Sequence, residues 1–300
     1  MKAESQTLNE VALVEKGWLG IFLELVKARL TALVLLTTLV GFHLGWHGVM
    51  NYWLLFHALL GTALVASGAS ALNQFIEKHH DANMPRTAGR PLPSGRLQPE
   101  FALLLGGASA VAGLIYLALV VNLLTSVLGA VTLASYVFIY TPLKRVTTLN
   151  TAIGAIPGAL PPLMGWTAAR NEITIEGWSL VAILFFWQLP HFLAIAWLYR
   201  EEYAKAGFAM LPVFDRTGER TGTQAVSHTL GLLPVSLAPF AFKMAGPIYL
   251  AGAALLGLGF LWCAFRFSRR LDTLHARRLF YASIIYLPAL LGLMVLDKLK

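Results

Sequence analysis

Apolar segments long enough to cross a bilayer recur along this whole chain, and that recurrence limits its fold more than any other feature. A hydrocarbon core takes about 20 helical residues per crossing, and one soluble core has no use for so many such runs. Nine candidate spans are read at roughly 22–46, 53–76, 100–121, 123–140, 150–168, 177–199, 222–243, 246–265 and 279–297. The runs are continuously apolar and lack the two-residue alternation of an outer-membrane barrel, so they predict helices. Composition agrees: 57% of the 300 residues are hydrophobic and only 13% are charged, about half the charge of a soluble domain. The expected fold is all-α: a single polytopic domain over 1–300, with about nine transmembrane helices around a central cavity.

Basic residues orient the bundle. With the N-terminus in the cytoplasm, the inner segments hold all of the 23 Lys and Arg residues except Arg170, Lys243, Lys298 and Lys300. That is a strong positive-inside bias. It accounts for the net charge of +8 through anionic lipid headgroups rather than nucleic acid. Trp46, Trp53, Trp166 and Trp178 fall near the predicted outer interface, as an aromatic belt requires. Cys263 is alone, which excludes an intramolecular disulfide framework and a cysteine zinc cluster. The first 20 residues contain Glu4, Glu10 and Glu15 and no apolar core. They resemble neither a cleavable signal nor an organellar transit peptide, which points to a bacterial inner (plasma) membrane.

Chemistry concentrates in the cytoplasmic loops and the helix ends feeding them. Asn73, Glu77 and Asp81 are spaced i, i+4, i+8, which on one helix makes a stripe roughly 12 Å long. A carboxamide and two carboxylates at membrane depth are costly unless they bind something. Hard oxygen ligands on one face suit Mg²⁺, which holds few protein ligands and completes its shell with water and phosphate. Read without function, the stripe is a polar helix end frayed into water. Arg86, Arg90 and Arg96 follow at once, in a turn-rich stretch with Pro85, Gly89, Pro91, Pro93 and Gly95. Guanidinium forks pair bidentately with phosphate, so acids followed by forks suit a metal-diphosphate site. Topology signalling is the plain alternative, and for Arg96 it weighs as much as function. The next inner loop carries Lys144 and Arg145, a basic turn that could reach the same diphosphate.

The stretch from Asn73 to Arg96 resembles the first signature of the UbiA superfamily of intramembrane prenyltransferases. Its run from Met84 through Arg86, Thr87 and Arg90 to Pro91 resembles the protohaem IX farnesyltransferases (haem O synthases) in particular. Glu77 stands at the middle position of the wider superfamily's Asn-x-x-x-Asp-x-x-x-Asp pattern, in place of an Asp. Two further segments resemble the same family: Tyr140 to Arg145, and the Gly/Pro-rich span from Gly154 to Trp166. Trp187, Gln188, Pro190, His191 and Phe192 match its Trp-Gln-x-Pro-His-Phe pattern. The superfamily's second aspartate pair is absent here, which speaks against a second metal held wholly by carboxylates.

Residues eleven apart on one helix differ by about 20°, so His191 and Glu202 should share a face with Gln188 near it, while Glu201 points away. His191 has three readings: a satisfied intramembrane polar residue, a metal or diphosphate contact, or a group touching the acceptor as iron ligand or proton shuttle. His43, His47, His57, His228 and His275 have no acidic neighbour at ligand spacing and are read as structural. His79 and His80 point off the stripe.

The resemblance implies a UbiA-like bundle that transfers farnesyl from farnesyl diphosphate to a vinyl group of haem B. It implies Mg²⁺ on Asn73, Glu77 and Asp81, with Glu77, Asp81 and His191 as catalytic residues. Arg86, Arg90, Lys144, Arg145, Gln188 and Glu202 would contact the substrates. A downstream haem-modifying enzyme or terminal oxidase assembly is the implied partner. The rivals are a relative prenylating a quinone precursor or chlorin ring, and a transporter. The span centres are nearly uncharged, which disfavours a midplane ion site.

Overall fold

In a computed structural model, which describes residues 17–299, the chain is helical throughout apart from one isolated bridge between Ala245 and Lys298. Lys2, Glu4, Glu10, Glu15, Lys16 and Lys300 lie outside the described residues. The elements are α1 (Trp18–Leu25), α2 (Ala28–Gly45), α3 (Tyr52–Asp81), α4 (Pro85–Ala88), α5 (Pro99–Tyr116), α6 (Leu123–Ala134), α7 (Thr141–Leu143), α8 (Asn150–Ala159), α9 (Pro161–Arg170), α10 (Ile175–Leu198), α11 (Arg200–Lys205), α12 (Leu211–Phe214), α13 (Glu219–Ala241), α14 (Pro247–Arg270) and α15 (Thr273–Leu296). π-helical turns extend α5 to Val121 and join α6 to α7.

Seven of these rods are long and apolar enough to cross a membrane. The other two predicted spans fall on the α8–α9 pair and on α13. Pro157 inside α8 and Pro161 at the start of α9 interrupt the first, because proline withholds an N–H and clashes with the preceding turn. Polar residues at its start, Glu219 to Gln224, temper the second. Asn122 does divide the third span from the fourth: it caps α6, its side chain accepting from the Thr125 N–H at 2.8 Å. One expectation needs correction. Residues 22–46 are two helices, because Lys27 takes a left-handed conformation (φ 48°) between α1 and α2.

The bundle closes on itself, with α3 on α5, α2 on α9, α10 on α13 and α15, and α15 back against α2. Lipid offers no hydrophobic drive between helices, so small residues must admit close backbone approach. At the α2–α9 crossing a Cβ on Gly41 would run into the Pro162 carbonyl, and one on Gly165 into the Thr38 carbonyl. The core around Tyr249, Phe260, Phe267 and Tyr286 is aromatic, and large apolar side chains such as Leu104, Leu119 and Leu255 stand on the outside. Trp53 and Trp178 face outward as a belt residue should, whereas Trp166 is buried.

The inter-helix segments gather at two ends. One end joins Lys298 Nζ to the carbonyls of His43 and Trp46. The other sews the segment after α7 to the one after α11: the Ala209 N–H donates to the Lys144 carbonyl at 2.6 Å, and Asn150 Nδ2 to the Ala209 carbonyl at 2.7 Å. The polar end of α3 opens there.

Candidate active site

Asn73, Glu77 and Asp81 are all buried, at 0%, 5% and 2% exposure. Buried charge must be paired, and each oxygen group of the stripe has its own cation, delivered by a different stretch of chain. Lys27 Nζ donates to Asn73 Oδ1 at 2.5 Å, Lys144 Nζ to Glu77 Oε1 at 2.7 Å, and Arg90 Nη1 to Asp81 Oδ2 at 2.6 Å. Asn73 is further oriented by its Nδ2, which donates to Thr141 Oγ1 at 3.1 Å. The structure therefore joins five of the sequence-predicted residues, Asn73, Glu77, Asp81, Arg90 and Lys144, and adds Lys27.

Lys27 had been counted only as a topology charge. Its place depends on the break between α1 and α2, where Gln74 Nε2 donates to the carbonyls of Glu24 and Leu25 and satisfies the end of α1. Burial first, then the charges of Arg90 and Lys144, push the Lys27 ammonium down to about 7. Burial also works against charge on Lys144, but Tyr140 and Glu77 outweigh it and hold its pKa above the ordinary lysine value. Lys144 also lies 4.6 Å from the Tyr140 ring centre.

The α4 turn holds the arginines differently. Thr87 Oγ1 donates to the Asp81 carbonyl at 2.8 Å and folds the turn back on α3. Arg86 is exposed, donates to the Tyr203 hydroxyl at 3.1 Å and lies over the Tyr199 and Tyr203 rings. It bridges α4 to α11 and touches neither acid. Arg96 pairs with Glu24 at 2.6 Å and bonds the Gly89 carbonyl, bracing the loop. The side chain of Arg145 is exposed and has no partner among the described residues.

The predicted second cluster divides. α10 ends at Leu198 and Tyr199 (φ −111°, ψ 22°) is not helical, so the 100° arithmetic that put His191 and Glu202 on one face does not carry into α11. Gln188 is buried against α8, where a Cβ on Gly158 would strike its Oε1. Glu202 Oε2 is buried without a hydrogen-bond partner. His191 turns to α15: its Nδ1 lies 2.7 Å from Ser283 Oγ, and its ring stacks on Trp187 and Phe280. Ser283 Oγ donates its own hydrogen to the Phe280 carbonyl at 2.5 Å. It therefore accepts from His191 Nδ1–H, which leaves the Nε2 lone pair without a partner among the described residues. Trp187 Nε1 donates to the Ser283 carbonyl at 2.8 Å and fixes the same corner.

The oxygen stripe fits a hard divalent cation. Its two carboxylates and one carboxamide already hold positive groups at 2.5–2.7 Å, and oxygen donors in small number suit Mg²⁺. Among the described residues no three His, Cys, Asp or Glu side chains cluster, so a cation here would need oxygens from outside the chain.

A buried oxygen stripe faced by lysine and arginine at one end of a helical membrane bundle is the equipment of an enzyme that handles an anionic leaving group in the bilayer. The chain belongs to the UbiA prenyltransferase family, whose model matches residues 34–287. It is 48% identical over 287 residues to a protohaem IX farnesyltransferase of Solibacter usitatus, covering 92% of this chain and 98% of that one. It is 44% identical over 301 residues to that of Myxococcus xanthus, covering 99% of both. Two solved structures share the fold: a UbiA homologue from Aeropyrum pernix K1 in its apo form (TM-score 0.71, 17% identity, 90% and 98% covered), and one from Archaeoglobus fulgidus bound to DMAPP and Mg²⁺ (0.67, 18%, 91% and 98%).

Proposed function

We propose that this protein transfers the farnesyl group of farnesyl diphosphate to a vinyl group of haem B, giving haem O and diphosphate. The observation that carries the reading is the cation-matched stripe of Asn73, Glu77 and Asp81, in a family of prenyltransferases. The acceptor follows from the relatives' names.

The allylic C–O bond breaks heterolytically and the diphosphate leaves with the electron pair. Asn73, Glu77 and Asp81 would hold Mg²⁺, which when bound stabilises the charge growing on the diphosphate. Lys144, Arg90 and Lys27, once released from their carboxylate and amide partners, would turn to the diphosphate oxygens. Arg86 reaches it from the loop side, and Arg145 lends the same loop positive charge. The farnesyl cation meets the vinyl group among apolar side chains that limit quenching by water. Water then adds to the resulting cation and loses a proton, leaving the hydroxyl of haem O. On the acceptor side His191 offers its Nε2 lone pair, to iron or to a proton, with Gln188 and Glu202 as further contacts.

Extraction and mass analysis of haems from membranes carrying the protein tests this directly. Haem O, appearing only with farnesyl diphosphate and Mg²⁺ and lost in EDTA, is the expected result. Prenylated quinone or chlorin with unchanged haem B would sink it. The same reading places the chain in a bacterial plasma membrane, N-terminus inside, with a haem-modifying enzyme or oxidase assembly downstream. Cysteines placed singly at 86, 144, 216 and 270, in a background lacking Cys263, should resist an impermeant thiol reagent in intact cells. Labelling of the 81–99 loop from outside would overturn that orientation.

A further inference from the structure

Away from the stripe, the adjoining ends of α14 and α15 enclose a cavity of about 230 Å³ lined by Trp262, Cys263, Arg266, His275 and Arg278. Neither arginine forms an ion pair among the described residues. Arg266 lies 5.7 Å from the Trp262 ring centre. His275 is 7% exposed. Its Nδ1 sits 2.8 Å from Asp272 Oδ1, the residue that caps α15. Its Nε2 is buried with no partner. On spacing alone His275 reads as structural, and Asp272, three residues earlier, is the partner that such a reading misses.

A buried ring nitrogen without a hydrogen bond is costly, and the guanidinium groups of half-buried Arg266 and exposed Arg278 supply positive charge beside it. With Asp272 accepting from Nδ1–H, the imidazolium form offers Nε2–H to a second acceptor. We propose that this cavity binds the phosphate of a membrane phospholipid, with His275 Nε2–H and the forks of Arg266 and Arg278 as donors. The surroundings favour a lipid over a free ion. Leu258, Trp262, Phe265, Tyr281, Ile284 and Ile285 are all exposed on these two span-length helices. Acyl chains would lie along that face, with Trp262 at headgroup depth.

Cys263, the chain's one cysteine, lines the same cavity and serves as reporter. Delipidated protein in detergent is mixed with phosphatidylglycerol, with diacylglycerol of the same chains, or with inorganic phosphate. The rate of Cys263 alkylation is followed, and lipid retained by the protein is read by native mass spectrometry. Phosphatidylglycerol should slow alkylation and stay bound, and diacylglycerol and inorganic phosphate at equal concentration should do neither. R266Q/R278Q should abolish both effects, and H275Q should weaken retention roughly tenfold, the loss of one charge-assisted hydrogen bond. Equal protection by diacylglycerol would mean an apolar groove with no headgroup site. Protection by inorganic phosphate alone would mean a soluble-anion site. Undiminished retention in the double variant would leave the arginines as topology charges. Each of these three results overturns the proposal, and the first two need no variant.

Discussion

The oxygen stripe of α3 and the His191 corner between α10 and α15 are built on opposite rules. The stripe is made of charge, and each oxygen group is matched by a cation from elsewhere in the chain. The corner is made of neutral hydrogen bonds and stacked rings from two helices, with its donors committed and the acceptor lone pair of His191 Nε2 left open. On the proposed function the first kind of site would exchange its partners for a metal and a diphosphate, because lysine and arginine side chains are long and rotatable. The second is rigid, because an imidazole wedged between Trp187 and Phe280 has nowhere to turn. A reaction that must release one substrate's leaving group and orient the other needs both kinds.

The largest effect expected is from the stripe itself. Glu77→Ala and Asp81→Ala should each lower transfer by at least about a hundredfold, since they remove metal ligation and leave a cation unpaired. Glu77→Ala also strands the ammonium of Lys144, a loss of roughly 3–5 kcal/mol for a buried pair. A denaturation midpoint beside the turnover assay separates the two effects, and Glu77→Gln should recover stability before activity. Full activity in both alanine variants would reduce the stripe to a polar helix end.

Next comes the corner. His191→Ala should cut haem O formation by roughly a hundredfold, the scale of a lost acid–base or ligand group, while farnesyl diphosphate binding stays within a factor of about two. Ser283→Ala should cost less, about 1 kcal/mol for one hydrogen bond, and should be rescued by Thr. If His191→Ala loses diphosphate binding as well, the two clusters are one site and the contrast fails.

Within the charged region the arginines should be unequal. Arg90→Lys loses a fork already paired with Asp81 and should weaken farnesyl diphosphate turnover roughly tenfold. Arg86→Lys, whose parent group rests on tyrosines, should cost less. Equal and negligible losses would mark both as topology charges. Smallest of all, Arg145→Gln should change turnover by less than about twofold, since its side chain has no partner to lose. A large loss there would show that the diphosphate reaches further along the loop than the ion pairs suggest.

The stripe was legible because helical spacing alone aligns residues 73, 77 and 81, and the family resemblance marked Arg90 and Lys144. Lys27 was not, because nothing in Lys-Ala-Arg announces a left-handed residue and its partner lies 46 positions away. Ser283 was silent for a similar reason: a serine in an apolar helix carries no periodic signal. The pairing of His191 with Glu202 failed at Tyr199, where an apolar run gives way to charge and the helix stops. The membrane class was plain from composition. The broken α8–α9 rod was only half visible, since the prolines mark a break but not the glycine contacts that hold it against α2.

The spacing of the stripe's partners along the chain also sets a timetable for synthesis. Arg90 follows Asp81 by nine residues, so that carboxylate is neutralised almost as soon as it emerges. Lys144 follows Glu77 by 67 residues, which at ordinary translation speed is a delay of roughly 3–13 s. For that interval the nascent third helix carries a carboxylate whose ion-pair partner is not yet made. The two ends of the stripe, Asn73 with the earlier Lys27 and Asp81 with Arg90, thus have their partners early, and Glu77 in the middle is matched last.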